Sequence, residues 1–247
     1  MKLTFFGSGG SAVSARRACP SLLVDESIVF DLGPGALGNI RRSRVSTDRL
    51  STVFISHFHA DHISDLIPFL WAIQIDGRKN PLRVLGPPGF KLVFQKLREC
   101  TNTSDGFFTF PLTVEEIQFG ETIDGIRTCR TRHSIPTLAF RFESGGKSLC
   151  YTADTTYCPA VIELARNVDL LVHEATFLED QAPIAELTKH STAKMAGRSG
   201  YEAKAKSLAL FHIPPPNDNR EEEFSRDASR EFGKDVLIGT DLATIEI

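Results

Sequence analysis

The chain has 247 residues, of which 41% are hydrophobic and 24% are charged, and its net charge is -3 at neutral pH. These proportions are typical of a folded protein with a sizeable core, so they argue against a disordered chain. The net charge also excludes a globally basic nucleic-acid-binding protein, so affinity for phosphates would have to come from a local patch. The candidate patches, which have a simpler interpretation as solvated surface charges, are Arg16 with Arg17 and the group Arg41, Arg42 and Arg44.

The length is compatible with a single domain over residues 1–247. The five cysteines are odd in number and never form a C-x-x-C pair, so we expect reduced core residues in a cytoplasmic protein. No stretch approaches 18 apolar residues, and the first residues resemble a strand before a glycine loop, so we expect neither a membrane span nor a signal peptide. The cysteines are Cys19, Cys100, Cys129, Cys150 and Cys158.

Short β-branched or aromatic segments bounded by turn residues predict ten strands. They are Leu3–Phe6, Leu22–Val24, Ile28–Phe30, Thr52–Ser56, Arg83–Leu85, Ile126–Arg132, Leu138–Phe142, Ser148–Thr152, Leu208–His212 and Val236–Ile238. Helical patterns lie at Ile63–Ile75, Phe90–Cys100, Pro159–Arg166, Thr192–Lys204 and Asn219–Phe232. Strands come first and a mixture follows, which favours an α/β protein with two sheets packed face to face and helices outside, a four-layer αββα sandwich.

One segment has the highest density of potential metal ligands, and it is His57-Phe58-His59-Ala60-Asp61-His62. It follows the apolar strand Val53–Ile55 and precedes an amphipathic helix, so rigid elements hold it on both sides. Three imidazoles and a carboxylate within six residues are the nitrogen and oxygen ligands that zinc prefers, and manganese and iron are compatible with them. The spacing therefore predicts a metal site.

The four other histidines lie at predicted strand ends or loop starts. A lone histidine in such a place is more often a capping or core residue, but here a first cluster requires partners. Asp154 also follows a strand and could bridge two ions, because a carboxylate has two oxygens, although an Asx-turn is the alternative. The four histidines are His133, His173, His190 and His212.

The segment from His57 to His62 resembles the H-x-H-x-D-H signature of the metallo-β-lactamase superfamily. Further segments are similar to its ribonuclease Z branch, and they occur in that family's order over nearly the whole chain. The resemblance implies the metallo-β-lactamase fold and a two-metal hydrolase. These segments are Gly86-Pro87-Pro88-Gly89, Tyr151-Thr152-Ala153-Asp154-Thr155, His173-Glu174-Ala175-Thr176-Phe177, His190-Ser191-Thr192-Ala193 and Thr240-Asp241-Leu242.

The resemblance also implies a role for individual residues. Asp31 would match the family's D-x-G turn and hold a ligand histidine by its other ring nitrogen, although a plain turn aspartate is the alternative. Glu174 and His190 would form a carboxylate–imidazole pair that protonates the leaving oxygen. The implied metal ligands are His57, His59 and His133 on one ion, Asp61, His62 and His212 on the other, and Asp154 between them.

The chain departs from the ribonuclease Z pattern in ways that disfavour tRNA as the substrate. That family carries a long arm that grips tRNA between the ligands equated with His133 and Asp154, whereas here the interval is 21 residues and turns at Ser144-Gly145-Gly146. After His212 the usual H-I-S-P-R-Y is replaced, and two glycines of the family are also lost. The segments at these departures are His212-Ile213-Pro214-Pro215-Pro216-Asn217, Ile63-Ser64-Asp65 and Lys189.

The favoured function is hydrolysis of a phosphodiester or related phosphate ester of small or nucleotide type. Two ions sharing Asp154 would lower the pKa of a bridging water from about 15.7 towards 7, Asp61 would orient the resulting hydroxide, and His190 with Glu174 would act as the general acid pair. RNA is a less favoured substrate, and a homodimer is an open expectation because many relatives are dimers.

Other functions remain open at this point. They are a tRNA 3′-end endonuclease of the ribonuclease Z type, a cyclic-nucleotide or cyclic-phosphate esterase, and a lactone or thioester hydrolase. The acid pair argues against a lactone or thioester hydrolase, because thiolates are good leaving groups and gain little from an acid. A redox or purely binding module is disfavoured, because oxygen-reducing relatives are expected to carry glutamate at the position of His59 and a flavin domain, and all seven ligands are present here.

Overall fold

The computed structural model describes residues 1–247, which form two seven-stranded sheets. The first sheet contains, in spatial order, β14 (Thr244–Glu246), β1 (Lys2–Gly7), β2 (Ser21–Val24), β3 (Ile28–Phe30), β4 (Thr52–Phe54), β5 (Leu82–Gly86) and β6 (Leu112–Glu116). The second contains β13 (Leu237–Ile238), β12 (Ser207–Phe211), β11 (Leu170–Glu174), β10 (Lys147–Tyr151), β9 (Leu138–Ser144), β8 (Ile126–Arg130) and β7 (Thr122–Ile123).

Helices cover the outer face of each sheet. On the first sheet these are α1 (Ala36–Ser43), α2 (Ala60–Ile63), α3 (Leu66–Ile75) and α4 (Phe90–Cys100). On the second they are α5 (Pro159–Leu164), α7 (Ala193–Glu202) and α8 (Glu221–Phe232), while the short α6 (Ala182–Thr188) lies between β11 and α7 in the chain. No helix has the length and apolar character needed to cross a membrane.

Side chains that point alternately to the two faces of a strand explain why each sheet has one core on its helix side and another between the sheets. Val53 of β4 belongs to the core between the first sheet and its helices, whereas the next residue, Phe54, belongs to the core between the sheets. There Phe54 packs on Phe30 with ring centroids 5.3 Å apart and on Phe140 of the opposite sheet at 5.4 Å. Each such buried side chain stabilises the fold by roughly 1.5–3 kcal/mol. The predicted αββα sandwich is confirmed.

Several predicted boundaries differ from the structure. The helix predicted over Ile63–Ile75 begins only at Leu66, and the separate short helix α2 precedes it, because the chain turns at Ser64 and Asp65. The Asp65 carboxylate accepts the Leu37 backbone N–H at 3.0 Å. Strand β11 was not predicted, since Leu170–Glu174 is buried on both faces and shows no alternation. The other elements that the sequence did not predict are β6, β7, β14, α1 and α6.

Parallel strands position the chemistry. In the first sheet β3, β4 and β5 run parallel, and in the second sheet β10, β11, β12 and β13 do. Because the carboxyl ends of parallel strands lie at one edge of a sheet, residues directly after them converge there. The residues brought to this edge are Asp31 after β3, His57 after β4, Asp154 after β10, Glu174 at the end of β11 and His212 after β12.

Candidate metal centre

Three histidines, which we call the histidine set, surround one oxygen of Asp154. The His59 Nδ1 atom lies 3.2 Å from His57 Nε2 and 3.1 Å from His133 Nε2. The Asp154 Oδ2 atom lies 3.5 Å from His57 Nε2 and 3.7 Å from His133 Nε2. These four atoms enclose a position that a single cation could occupy.

Asp61, His62 and His212, which we call the aspartate set, surround the other oxygen of Asp154. The Asp154 Oδ1 atom lies 3.2 Å from His62 Nε2 and 3.3 Å from His212 Nε2. The Asp61 Oδ2 atom lies 3.2 Å from His212 Nε2 and 3.8 Å from His62 Nε2. The structure thus brings all seven residues implied as ligands into two groups that share one carboxylate.

Asp154 provides the test of whether cations fit here. Its side chain is only 1% exposed, and its Oδ1 atom is buried without any hydrogen-bond partner. A buried carboxylate oxygen without a partner is costly unless a cation or donor satisfies it. The unsatisfied oxygen, together with the nitrogen and oxygen ligands around it, fits a divalent cation.

The protonation states of the histidine set also fit a cation. Burial lowers the pKa of His57, and burial likewise lowers those of His59 and His133, so their lone pairs are free at neutral pH. At Asp154, burial would raise the carboxyl pKa, but the neighbouring imidazoles, chiefly those of His212 and His62, hold it well below its usual range. The histidine set and Asp154 are therefore in the protonation states that metal binding requires. At His62, burial would lower the pKa, but the carboxylates of Asp154 and Asp31 raise it well above its usual value, so a cation would replace a proton there.

Asp31 contacts one of the histidines that the resemblance implies as ligands. Its Oδ2 atom lies 2.9 Å from His62 Nδ1, which directs His62 Nε2 towards Asp154. The same carboxylate accepts the Ser56 N–H at 2.7 Å, the Ser56 hydroxyl at 2.8 Å and the Tyr151 hydroxyl at 2.6 Å. Asp31 has φ of 60°, a left-handed conformation that aspartate tolerates better than most residues.

Other supporting contacts were not predicted from the sequence. The Ser56 hydroxyl lies 3.0 Å from His57 Nδ1, and the Lys189 carbonyl lies 3.0 Å from His133 Nδ1. Ser56 directly precedes the metal motif, and this adjacency is a signal that could have found it. Tyr151 is 120 positions from its partner Asp31, and no local pattern indicates that contact.

The two residues of the implied acid pair lie beside the residues implied as metal ligands. His190 Nδ1 lies 2.9 Å from Glu174 Oε1 and 3.9 Å from Asp154 Oδ2, and the His190 ring stacks on His212 with centroids 5.2 Å apart. Burial lowers the pKa of His190, but the negative charges of Glu174 and Asp154 outweigh it and raise the pKa to about 9. The His190 side chain is 12% exposed, so part of it is accessible from solvent.

Glu174 is saturated with donors. Its Oε1 atom accepts from the Thr155 N–H at 3.0 Å and from His190, and its Oε2 atom accepts from the Thr176 N–H at 3.1 Å and the Thr176 hydroxyl at 2.8 Å. Glu174, His190 and His212 lie close enough to suggest a third cation position. Because every acceptor position of Glu174 is taken, we interpret this group as a hydrogen-bond network.

Two sequence candidates lie outside the centre. His173 alternates with Glu174 along β11, so it faces away from the metal ligands, and its Nδ1 contacts the Glu174 carbonyl at 2.7 Å. The proposed patch of Arg16 and Arg17 is largely lost, because Arg17 is 2% exposed and donates to the Ser8 hydroxyl and the Gly239 carbonyl, both at 2.6 Å. A buried and paired guanidinium is not free to bind phosphate.

The comparison with protein families identifies the class. The family model described as beta-lactamase superfamily domain matches residues 26–213, so the chain belongs to this superfamily. The predicted fold and the predicted class, a metal-dependent hydrolase, are confirmed.

Individual relatives show which members of the superfamily this chain is similar to. Ribonuclease Z of Methanosarcina acetivorans is 28% identical over all of this chain and 98% of its own length, and ribonuclease Z of Myxococcus xanthus is 26% identical over the same shares. The metallo-β-lactamase fold protein YhfI from Bacillus subtilis superposes with a TM-score of 0.86 at 26% identity and covers 99% of both chains. The short form of human tRNase Z superposes with a TM-score of 0.83 at 23% identity and covers 100% of this chain and 99% of its own.

These relatives support the predicted reaction class, metal-dependent phosphodiester hydrolysis, and confirm the ribonuclease Z-like resemblance. The same relatives also show how the length of this chain departs from the ribonuclease Z pattern. The alignment with the Methanosarcina acetivorans protein is 308 positions long and includes all 247 residues of this chain, so about 61 positions of that relative have no counterpart here.

Proposed function

We propose that this protein is a two-zinc phosphodiesterase that acts on a small or nucleotide-type phosphodiester. One observation carries the proposal: the two oxygens of Asp154 face two separate ligand sets, and the buried Oδ1 atom has no hydrogen-bond partner. Five imidazoles and two carboxylates form a borderline-soft ligand set that favours zinc, with manganese and iron as less favoured occupants.

When bound, two divalent ions would supply an activated water molecule and neutralise the charge that develops on the phosphate. The chain's own residues then set the geometry. Asp61 is 14% exposed and its Oδ2 atom accepts the Ser11 N–H at 2.8 Å, so a fixed carboxylate is partly accessible from solvent. We assign it the orientation of the attacking water in addition to metal binding.

His190 supplies the proton that the leaving oxygen needs. Its Nδ1–H donates to Glu174, which leaves Nε2 to hold the transferable proton. Glu174 stays ionised, because four donors surround its carboxylate and stabilise the negative form. Glu174 therefore orients the imidazole and stabilises its protonated form without itself taking the proton.

The size of the substrate follows from what borders the centre. Between His133 and Asp154 the chain forms only β9, a tight turn and β10, with no room for an arm that could grip a large RNA. Arg17 is buried, and Arg41 is paired with Asp76 at 2.5 Å, so two of the five arginines in the predicted basic patches are not free to bind an RNA phosphate backbone. Both features favour a small substrate.

A second candidate is tRNA 3′-end processing, because the curated relatives are named ribonuclease Z. The exposed Arg42 and Arg44, or a partner subunit, would then compensate for the missing arm. We also propose that the protein acts in the cytoplasm, which agrees with its five free cysteines. A homodimer remains a prediction.

Parallel assays distinguish the candidates. The zinc-loaded protein would be given bis(p-nitrophenyl) phosphate, an alkyl phosphodiester, a lactone, a thioester and a precursor tRNA. We expect cleavage of the phosphodiesters and weak or absent processing of the tRNA, because remote binding energy of the kind an arm supplies is missing. Efficient, position-specific removal of a tRNA 3′ trailer would favour ribonuclease Z, and turnover of the lactone or thioester alone would reject both.

A further inference from the structure

The hydroxyl of Thr176 joins the two halves of the site. Thr176 follows β11 and is only 2% exposed. Its Oγ1 atom lies 2.9 Å from His212 Nδ1, 2.8 Å from Glu174 Oε2 and 3.2 Å from His190 Nδ1. One buried oxygen thus contacts a metal ligand and both members of the acid pair.

The direction of each hydrogen bond is determined by the neighbours. His212 Nε2 faces Asp154 Oδ1 at 3.3 Å and must keep its lone pair to bind a cation, so the proton of His212 lies on Nδ1 and is donated to Thr176. The single hydroxyl proton is then donated to Glu174, the only acceptor among the three neighbours. His190 Nδ1 donates to the other Glu174 oxygen at 2.9 Å, which is closer than Thr176.

The backbone holds this hydroxyl in place. The Thr176 N–H donates to Glu174 Oε2 at 3.1 Å and to the Ser191 carbonyl at 3.1 Å, and the Thr176 carbonyl accepts from Asn217 Nδ2 at 3.2 Å. A β-branched side chain adds stiffness at χ1. The position of Oγ1 is therefore fixed.

We propose that Thr176 is a positioning residue whose hydroxyl orients His212 for the metal and Glu174 for the acid at the same time. The acid half rests on the proposed function, whereas the metal half does not. Without the hydroxyl, His212 Nδ1–H is buried without an acceptor, and Glu174 loses one of its four donors. Both metal affinity and proton delivery then depend on one side chain that touches neither cation nor substrate.

The test uses Thr176→Val, which replaces the hydroxyl with a methyl group, and Thr176→Ser, which keeps it. Thr128→Val is the matched control, because the buried Thr128 hydroxyl bonds only backbone carbonyls, those of Glu121 at 2.9 Å and Gln118 at 3.3 Å. Zinc affinity would be measured by competition with a chromophoric chelator. Turnover of an alkyl and a p-nitrophenyl phosphodiester would be measured at saturating zinc.

We expect Thr176→Val to bind one of its two zinc ions about 10- to 100-fold more weakly, the usual effect of losing a group that orients a metal ligand. At saturating zinc it should lose more turnover on the alkyl substrate than on the p-nitrophenyl one. Thr176→Ser should restore both properties, and Thr128→Val should leave both unchanged. If Thr176→Val does not fold, Thr176→Ala removes the same hydroxyl without the added methyl group.

Wild-type zinc affinity and a wild-type substrate ratio in the folded hydroxyl-free variant would overturn the proposal. So would a Thr176→Ser variant as impaired as Thr176→Val at equal thermal stability, since packing of the methyl group would then be the cause. Failure of the proposed function is separable. It would appear as no turnover of either phosphodiester by the zinc-loaded wild type, whereas the zinc competition needs no substrate.

Discussion

The two ligand sets that share Asp154 differ in charge and in support. The histidine set is neutral, and its supports are a hydroxyl on His57 and a backbone carbonyl on His133. The aspartate set contributes the carboxylate of Asp61, and the carboxylate of Asp31 contacts His62 directly at 2.9 Å. Fixed negative charge in a buried site strengthens cation binding, so we expect the aspartate set to hold its ion more tightly.

The largest expected effect comes from Asp154→Ala, because this residue is the only ligand common to both sets. We expect fewer than two zinc ions per chain and an activity loss greater than the roughly 100-fold that a supporting residue is worth. Elemental analysis and phosphodiesterase assays would measure both. Two ions retained in the variant, or none in reconstituted wild type, would show that the sets are not two halves of one centre.

His190→Ala tests a residue that contacts both sets and, on our assignment, belongs to neither. We expect both metals to remain while turnover of an alkyl phosphodiester falls by about 100- to 10,000-fold. A p-nitrophenyl phosphodiester should lose much less, because its leaving group departs without a proton. Glu174→Gln should show the same pattern in milder form.

A loss of zinc in His190→Ala would make His190 a ligand or a structural residue. Equal losses on both substrates would indicate another role, such as phosphate binding.

Asp31→Asn should reduce the difference in ion affinity between the two sets, because it removes a negative charge next to the aspartate set. Asparagine tolerates the positive φ of 60° at this position, so the backbone can stay. We expect affinity for the ion of the aspartate set to fall by about 10- to 100-fold. Ser56→Ala is the comparison variant, because it removes the hydroxyl that lies 3.0 Å from His57 Nδ1 and 3.5 Å from His62 Nδ1 and leaves the contact between Asp31 and His62 in place. It should weaken the ion of the histidine set more than that of the aspartate set.

Crystals grown at limiting zinc would locate the remaining ion by anomalous scattering. The same order of loss in both variants would contradict the assignment of separate supports.

The smallest expected effect is a pH dependence. The pKa of His190 is raised to about 9, so the imidazole is protonated below that value and loses its proton as the pH rises through it. Two divalent ions beside Asp154 would cancel part of that carboxylate's effect and move the pKa lower. Turnover of an alkyl phosphodiester should therefore fall about tenfold per pH unit above a pKa at or below about 9. If turnover of His190→Ala falls with rising pH in the same way as the wild type, the fall is caused by the ionisation of another group.

Much of the centre could be predicted from the sequence, because local spacing brings its ligands together. His57, His59, Asp61 and His62 lie around one strand-to-helix turn, whose geometry depends on neighbours along the chain. Helix α4 also matches its predicted bounds, since its apolar face repeats at helical spacing. Both depend on interactions over a few residues.

The remaining parts are decided by contacts between distant segments. Strand β11 was not predicted, because its residues are buried on both faces and so show no alternation of apolar and polar side chains. Whether Arg17 is exposed depends on its contact with Glu221, 204 positions away. Short-range patterns in the sequence thus indicated the candidate metal ligands and the αββα layers. The tertiary structure alone decided that Tyr151 contacts Asp31 and that Thr176 contacts His212, because hydrogen bonds depend on the distance between atoms and not on separation along the chain.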